Sequence, residues 1–239
     1  MRIAVFSSQR YDRDSLNGAN AGFGHELVYF DFRLSEQTVE AAQGFPAVCV
    51  FVNDRLDART LERLSQGGTR LIALRCAGFN NVDLKAAAAC NLTVVRVPAY
   101  SPQSVAEVTL GLILCLRRQL HRAYVRVRNG NFALDGLLGH DLSGATVGIV
   151  GTGRIGTALT QLLSGFEVKL IATDPIVSDR CLQLGVRYLP FEELLEQADV
   201  VSLHCPLTPQ THHLFNATAF ARMRPGAMLV NTSRGAVVD

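Results

Sequence analysis

Residues 146–156 read Thr146-Val147-Gly148-Ile149-Val150-Gly151-Thr152-Gly153-Arg154-Ile155-Gly156, and this stretch restricts the fold more than any other. Residues 146–150 have the composition of a strand buried on both faces. They run directly into a glycine turn, and residues 155–163 have the pattern of a helix. Strand, tight turn and helix in that order open a βαβ unit. Gly151 suits the turn, Gly153 lets the backbone approach a pyrophosphate, and Gly156 lets the helix pack close to the strand. The start of the helix, including Arg154 and Ile155, would aim its free N–H groups at phosphates. A second apolar run, 168–172, ends in Thr173-Asp174-Pro175, with Asp174 18 residues after Gly156. A carboxylate at that spacing can accept hydrogen bonds from ribose hydroxyls and would repel the extra phosphate of NADP, so NAD is the expected cofactor. The alternative is a glycine turn in a non-binding α/β domain, with Asp174 an ordinary strand-end acid.

The same alternation runs through the whole chain. Strands are expected at 2–6, 27–30, 47–52, 71–75, 93–97, 146–150, 169–173, 200–203 and 228–231, with helices such as 58–65, 155–163 and 191–197 between them. Continuous apolar strands alternating with helices imply parallel sheets covered on both faces. One long helix is expected over 102–129, with Pro102 in its first turn and Gly130 just past its end. Its first half is almost wholly apolar and is expected to be buried. Its second half would carry Arg118, Arg122 and Arg126 on one face, as a solvated face or subunit contact rather than an anion patch. Residues 136–144 are glycine-rich and aperiodic, and form the loop into the second βαβ run.

Bulk properties exclude several classes. The net charge of +2 gives no basic excess for nucleic acid. The longest apolar stretch, 105–116, contains Glu107 and ends at Arg117-Arg118, too short and too charged to cross a bilayer. The opening apolar run is too short for a signal peptide. Six scattered cysteines without a Cys-x-x-Cys fit a reducing, cytoplasmic setting.

Four further segments carry a family likeness: Leu74-Arg75-Cys76-Ala77-Gly78-Phe79-Asn80-Asn81-Val82-Asp83, Val97-Pro98-Ala99-Tyr100-Ser101-Pro102, Ser202-Leu203-His204-Cys205-Pro206-Leu207-Thr208 and Asn231-Thr232-Ser233-Arg234-Gly235. With the glycine turn they resemble the D-isomer-specific 2-hydroxyacid dehydrogenases, closest to the NAD-dependent D-lactate branch. The resemblance implies two doubly wound parallel-sheet domains: the first part of a split substrate domain over 1–100, and a Rossmann NAD-binding domain over 101–239. It implies a small 2-oxo or 2-hydroxy acid as substrate and, because the family is commonly dimeric through its nucleotide domain, a homodimer.

Roles follow residue by residue. Arg234 matches the family arginine, whose planar fork can hold a carboxylate and a keto oxygen. The backbone N–H groups of Ala77 and Gly78 match the carboxylate cradle. Tyr100 matches a substrate-side tyrosine, with a core aromatic as the alternative. The cofactor set is Gly151, Thr152, Gly153, Arg154, Ile155, Gly156, Asp174, His204, Cys205, Pro206, Thr211, Thr232, Ser233 and Arg234. His204 is placed beside the cofactor and not as the acid–base group. His204, His212 and His213 fit no common zinc spacing, and no metal is expected.

The family's acid–base histidine and its glutamate partner lie downstream of the arginine, so the 239 residues are expected to be the N-terminal portion of a longer chain, with Asp239 as the N-cap of a further helix. Two other readings stay open. One is a non-catalytic NAD-binding or scaffold protein derived from this family. The other is a 2-hydroxyacid dehydrogenase for a bulkier substrate.

Overall fold

The computed structural model describes residues 1–99 and 101–239. The chain divides into two compact units, Met1–Tyr100 and Ser101–Asp239. Each is an α/β unit built on a five-stranded parallel sheet.

In the first unit the strands are β1 (Arg2–Val5), β2 (Glu26–Tyr29), β3 (Ala47–Val50), β4 (Leu71–Leu74) and β5 (Thr93–Arg96), in the order β2-β1-β3-β4-β5. The helices are α1 (Arg10–Asn20), α2 (Ala58–Gln66) and α3 (Leu84–Ala89). β3 is buried at every residue, whereas β5 at the sheet edge is mostly exposed. α2 begins where Asp57 accepts a hydrogen bond from Thr60 N at 3.0 Å, and it buries Leu61 and Leu64 in the core. Strand order reverses between β1 and β3, which leaves a crevice at their carboxyl ends. Asp54, 1% exposed, closes it. Its carboxylate accepts hydrogen bonds from the Ser7 hydroxyl at 2.6 Å, from Leu34 N at 2.8 Å and from Phe51 N. Ser7 sits in the left-handed region at φ 52°. Its bond to Asp54 helps hold a conformation that non-glycine residues seldom adopt.

In the second unit the helices are α4 (Pro102–Arg117), α5 (Leu120–Arg128), α6 (Arg154–Leu163), α7 (Asp179–Gln183), α8 (Phe191–Gln197) and α9 (Ala217–Arg222). The strands are β6 (Thr146–Val150), β7 (Lys169–Thr173), β8 (Arg187–Tyr188), β9 (Val200–Leu203) and β10 (Met228–Asn231), in the order β10-β9-β6-β7-β8. Side chains alternate across a strand, and the core divides accordingly. Val147 and Ile149 of β6 pack with Ala106 and Ile113 of α4 and Leu159 and Leu163 of α6. Val150 packs on the opposite face with Leu194 and Leu195 of α8 and Ala219 of α9. This is the doubly wound arrangement, with its switch point between β6 and β9.

The long helix expected over 102–129 is broken. Gln119 takes a left-handed φ of 55° between α4 and α5. The cause is tertiary. The carbonyl of Arg117, which a continuous helix would give to residue 121, accepts instead from His140 N at 2.9 Å. The 139–141 segment crosses the helix end so closely that a Cβ on Gly139 would lie 2.4 Å from that carbonyl oxygen. Arg118 therefore leaves the face of Arg122 and Arg126 and pairs with Asp141. Nor is the first half buried all round: Ala106, Thr109 and Ile113 face inward, while Val108 is 60% exposed.

Asp54→Ala removes the acceptor of three hydrogen bonds in the first unit. It is expected to lower unfolding free energy by about 3 kcal/mol. Urea denaturation followed by circular dichroism measures this; a loss under about 0.5 kcal/mol would show that the crevice does not depend on the carboxylate.

Candidate functional site

The carboxyl end of β6 is crowded, and the glycines follow from that. Gly151 has φ 97°, and a Cβ there would stand 2.7 Å from Cys205 N, in the loop that leaves β9. A Cβ on Gly156 would stand 2.0 Å from the Gly151 carbonyl oxygen, so only glycine allows α6 to seat against its own turn. Gly153 faces open space. The first-turn N–H groups of any α-helix lack intrahelical partners, and Gly153 as N-cap of α6 offers no side-chain acceptor. Arg154 and Ile155 thus open a helix whose positive end is capped by no side chain among the described residues. That is the cradle a dinucleotide pyrophosphate requires.

Asp174 follows β7 on the same sheet edge. Its carboxylate accepts from Thr152 N at 2.6 Å and from Ile176 N at 2.8 Å. Each oxygen keeps lone-pair capacity for a ribose hydroxyl. Thr152 is buried, and its N–H is committed to Asp174, so it ties the glycine turn to the acid. Tyr188 completes this brace. Its hydroxyl lies 2.8 Å from Thr152 Oγ1 and accepts from Ser178 N at 3.0 Å. Sequence reasoning missed Tyr188, because β8 is two residues long and carries no period.

The loop after β9 faces the glycine turn. His204 Nε2 lies 2.8 Å from the Ser202 hydroxyl. Burial lowers its imidazole pKa from 6.5 to about 4, so the ring is neutral at physiological pH. Cys205 is buried beside it, and burial, with the nearby Asp174, pushes its thiol up. Pro206 is exposed. Its carbonyl accepts from the Thr211 hydroxyl, which also accepts from Thr208 N at 2.8 Å, so Thr211 braces its own loop. His212 and His213 stack at 3.8 Å between ring centres, and His213 pairs with Asp239 at 3.3 Å. Among the described residues no three His, Cys, Asp or Glu side chains group as metal ligands do, and no helix is long and apolar enough to cross a membrane.

Arg234 leaves the carboxyl end of β10, on the same edge of that parallel sheet as the glycine turn. Asn231 shapes its loop. Asn231 Nδ2 donates to Arg234 O at 2.9 Å, and Asn231 Oδ1 accepts from both Ser233 N and Ser233 Oγ at 2.9 Å. The Arg234 guanidinium spends one contact on Ser233 O, at 2.9 Å. Half-buried, and with that one side-chain bond among the described residues, it suits a planar oxyanion.

In the first unit, Ala77 and Gly78 follow β4. Their carbonyls are held by donors: Arg96 Nη1 to Ala77 O at 2.9 Å and Cys76 Sγ to Gly78 O at 3.3 Å. Asn81, a second residue that sequence reasoning missed, fastens the far end of the loop. Its Nδ2 donates to Phe51 O and Asp54 O, both at 3.0 Å. Arg75 fastens the near end through Ser7 O at 2.7 Å and an ion pair with Asp12 at 3.2 Å. Tyr100 lies outside the described residues.

The neutral His204 sets a pH dependence. The unfolded chain takes up the imidazole proton near pH 6.5, and the folded chain resists it until about pH 4. Acidification across that window favours unfolding, and the stability is whole above it. His204→Gln, which cannot titrate, is expected to lose less stability on acidification, the difference reaching at most about 3 kcal/mol. Urea midpoints at pH 7 and pH 4.5 for both proteins measure it; identical losses would mean that His204 titrates normally.

Residues 110–239 match the family model described as D-isomer specific 2-hydroxyacid dehydrogenase, NAD binding domain. The chain is 51% identical to the D-lactate dehydrogenase of Escherichia coli K12 over 239 residues, covering all of this chain and 73% of that one. The apo-structure of D-lactate dehydrogenase from Escherichia coli superposes with a TM-score of 0.92 at 51% identity, over 100% of this chain and 76% of that one. The D-lactate dehydrogenase of Aquifex aeolicus, complexed with NAD and lactic acid, superposes at 0.88 with 33% identity, over 99% and 70% of the two chains. The chain belongs to the D-isomer specific 2-hydroxyacid dehydrogenase family, and its second unit carries that family's NAD-binding domain.

Proposed function

We propose that the protein reduces pyruvate to D-lactate with NADH, reversibly. One observation carries the reading. Arg234 stands on a loop shaped by Asn231, at the sheet edge that also holds the dinucleotide cradle. The 51% identity to a D-lactate dehydrogenase supports pyruvate over bulkier 2-oxo acids.

On this reading the first unit is part of the substrate domain and the second binds the nucleotide. The cofactor, when bound, supplies the hydride that passes to C2 of the oxo acid. Gly151, Gly153 and Gly156 keep the turn open, and the N–H groups of Arg154 and Ile155 receive the pyrophosphate. Asp174 takes the ribose hydroxyls, and its charge disfavours a 2′-phosphate. His204, Cys205, Pro206, Thr211, Thr232 and Ser233 line the cofactor side. The N–H groups of Ala77 and Gly78 hold the substrate carboxylate, and Tyr100 lies on the substrate side. Arg234 donates to the carboxylate and keto oxygen and strengthens its hold as negative charge grows on that oxygen. The proton is assigned to the family histidine that the resemblance places later in sequence than Arg234. His204 is unsuited to that task, since a neutral ring has no proton to spare for an alkoxide at neutral pH. We place the protein in the cytoplasm as a homodimer through its second unit. Support for the dimer is the exposed apolar surface of α4, α5 and the following loop, where Tyr124 is 67% and Leu138 91% exposed.

The test uses enzyme expressed from its complete reading frame. Pyruvate is expected to give a higher kcat/KM than phenylpyruvate or hydroxypyruvate. Arg234→Lys is expected to lower kcat/KM for pyruvate at least about a hundredfold, through both constants. Equal turnover of a bulkier acid would overturn the pyruvate assignment, and unchanged Arg234→Lys kinetics would remove Arg234 from the site.

A further inference from the structure

Thr109 lies in α4 with no exposed surface. Its hydroxyl contacts two oxygens, the Val105 carbonyl at 2.8 Å and the Thr232 hydroxyl at 2.9 Å. A hydroxyl has one proton and two lone pairs. The carbonyl has no proton to give, so Thr109 donates to Val105. The contact with Thr232 is then donated by Thr232, whose only proton is turned inward toward α4.

The remaining side-chain bonds of the arginine loop are internal to it. Asn231 bonds to Ser233 and Arg234, and Arg234 bonds to Ser233. Among the described residues, the Thr232–Thr109 bond is the one side-chain hydrogen bond that ties 231–235 to a different element, 123 positions away in sequence. The internal bonds set the loop's shape, and the Thr109 bond sets its place against the helix layer. Breaking the bond would leave the half-buried Thr232 hydroxyl without its acceptor, a cost that resists rotation of the loop away from α4.

We propose that Thr109 is a positioning residue for the 2-oxo acid reaction. It holds Thr232, and through the 232–234 backbone it sets where the Arg234 fork points. The inference rests on the reading of Arg234 as the substrate clamp. It also gives Thr109, the one polar residue among the buried residues of α4, a partner outside its own helix.

The experiment compares Thr109→Val, which keeps the shape and removes the hydroxyl, with Thr109→Ser, which keeps the hydroxyl, in enzyme from the complete reading frame. Thr109→Val is expected to raise the KM for pyruvate about fivefold while kcat falls less than about twofold, the loss of one hydrogen bond to the clamp's support. NADH binding, read by fluorescence quenching, is expected to stay within about twofold, and Thr109→Ser to restore KM within about twofold. A merely structural role would lower kcat through the folded fraction and leave KM alone. A wild-type KM in Thr109→Val, or no rescue by Thr109→Ser, overturns the proposal. If Thr109→Val fails to fold, Thr109→Ala removes the same hydroxyl and the same bond without adding bulk. It should show the same rise in KM, and an unchanged KM there overturns the proposal equally. Arg234→Lys separates the two claims. An impaired Arg234→Lys beside a normal Thr109→Val sinks the Thr109 role alone, whereas a normal Arg234→Lys sinks the reading beneath it.

Discussion

Backbone meets backbone at the carboxyl edge of the second sheet, and the rest of the cofactor site depends on that approach. A Cβ on Gly151 would stand 2.7 Å from Cys205 N, and one on Gly156 would stand 2.0 Å from Gly151 O. The two glycines let strand, helix and the β9 loop converge on one small volume. From that convergence come the open face of Gly153, the start of α6 that no side chain among the described residues caps, and the placement of Asp174 and His204 around the turn. A single methyl at either position would push apart elements that must act together.

The two units solve the same problem by different means. In the second, glycines permit contact at the β6–β9 switch point. In the first, buried polar groups knit the β1–β3 switch point shut. Asp54 gathers Ser7, Leu34 and Phe51, and Asn81 and Arg75 then fasten the two ends of the Ala77–Gly78 loop to those same turns. With their carbonyls held by Arg96 and Cys76, Ala77 and Gly78 lie in a loop whose shape is fixed by neighbours rather than by regular structure. On the function proposed above, such support would let the loop hold a small anion without spending affinity on ordering itself.

Much of this was legible in the sequence, and the exceptions have physical causes. β6, β7, β9, β10 and α8 stand where periodicity and composition put them, because continuous apolar strands and a strong amphipathic helix leave little choice. The family likeness was readable because several short motifs occur together in the right order. The break at Gln119 was not readable, since 118–120 contain neither glycine nor proline and the cause lies about 20 residues away, at Gly139 and His140. Tyr188, Asn81 and Thr109 escaped for a related reason. Each acts through a partner distant in sequence, and a single tyrosine, asparagine or threonine has no local pattern to mark it. The hydroxyl relay from Thr232 to Val105 emerges only when donors and acceptors are counted on the folded chain.

Charge and protonation fit the same chemistry. Asp174 shares its carboxylate with two backbone N–H groups and keeps capacity for a diol. His204 is kept neutral by burial, so Arg234 rather than His204 is the cation that the proposed function assigns to the keto oxygen. The central claim is hydride transfer to C2 of a 2-oxo acid with D stereochemistry. Its most direct test is to incubate the enzyme, expressed from its complete reading frame, with pyruvate and NADH deuterated at C4, and to resolve the product by chiral chromatography with mass detection. The account predicts D-lactate carrying deuterium at C2. L-lactate, lactate without the label, or no lactate beside normal NADH binding would contradict it.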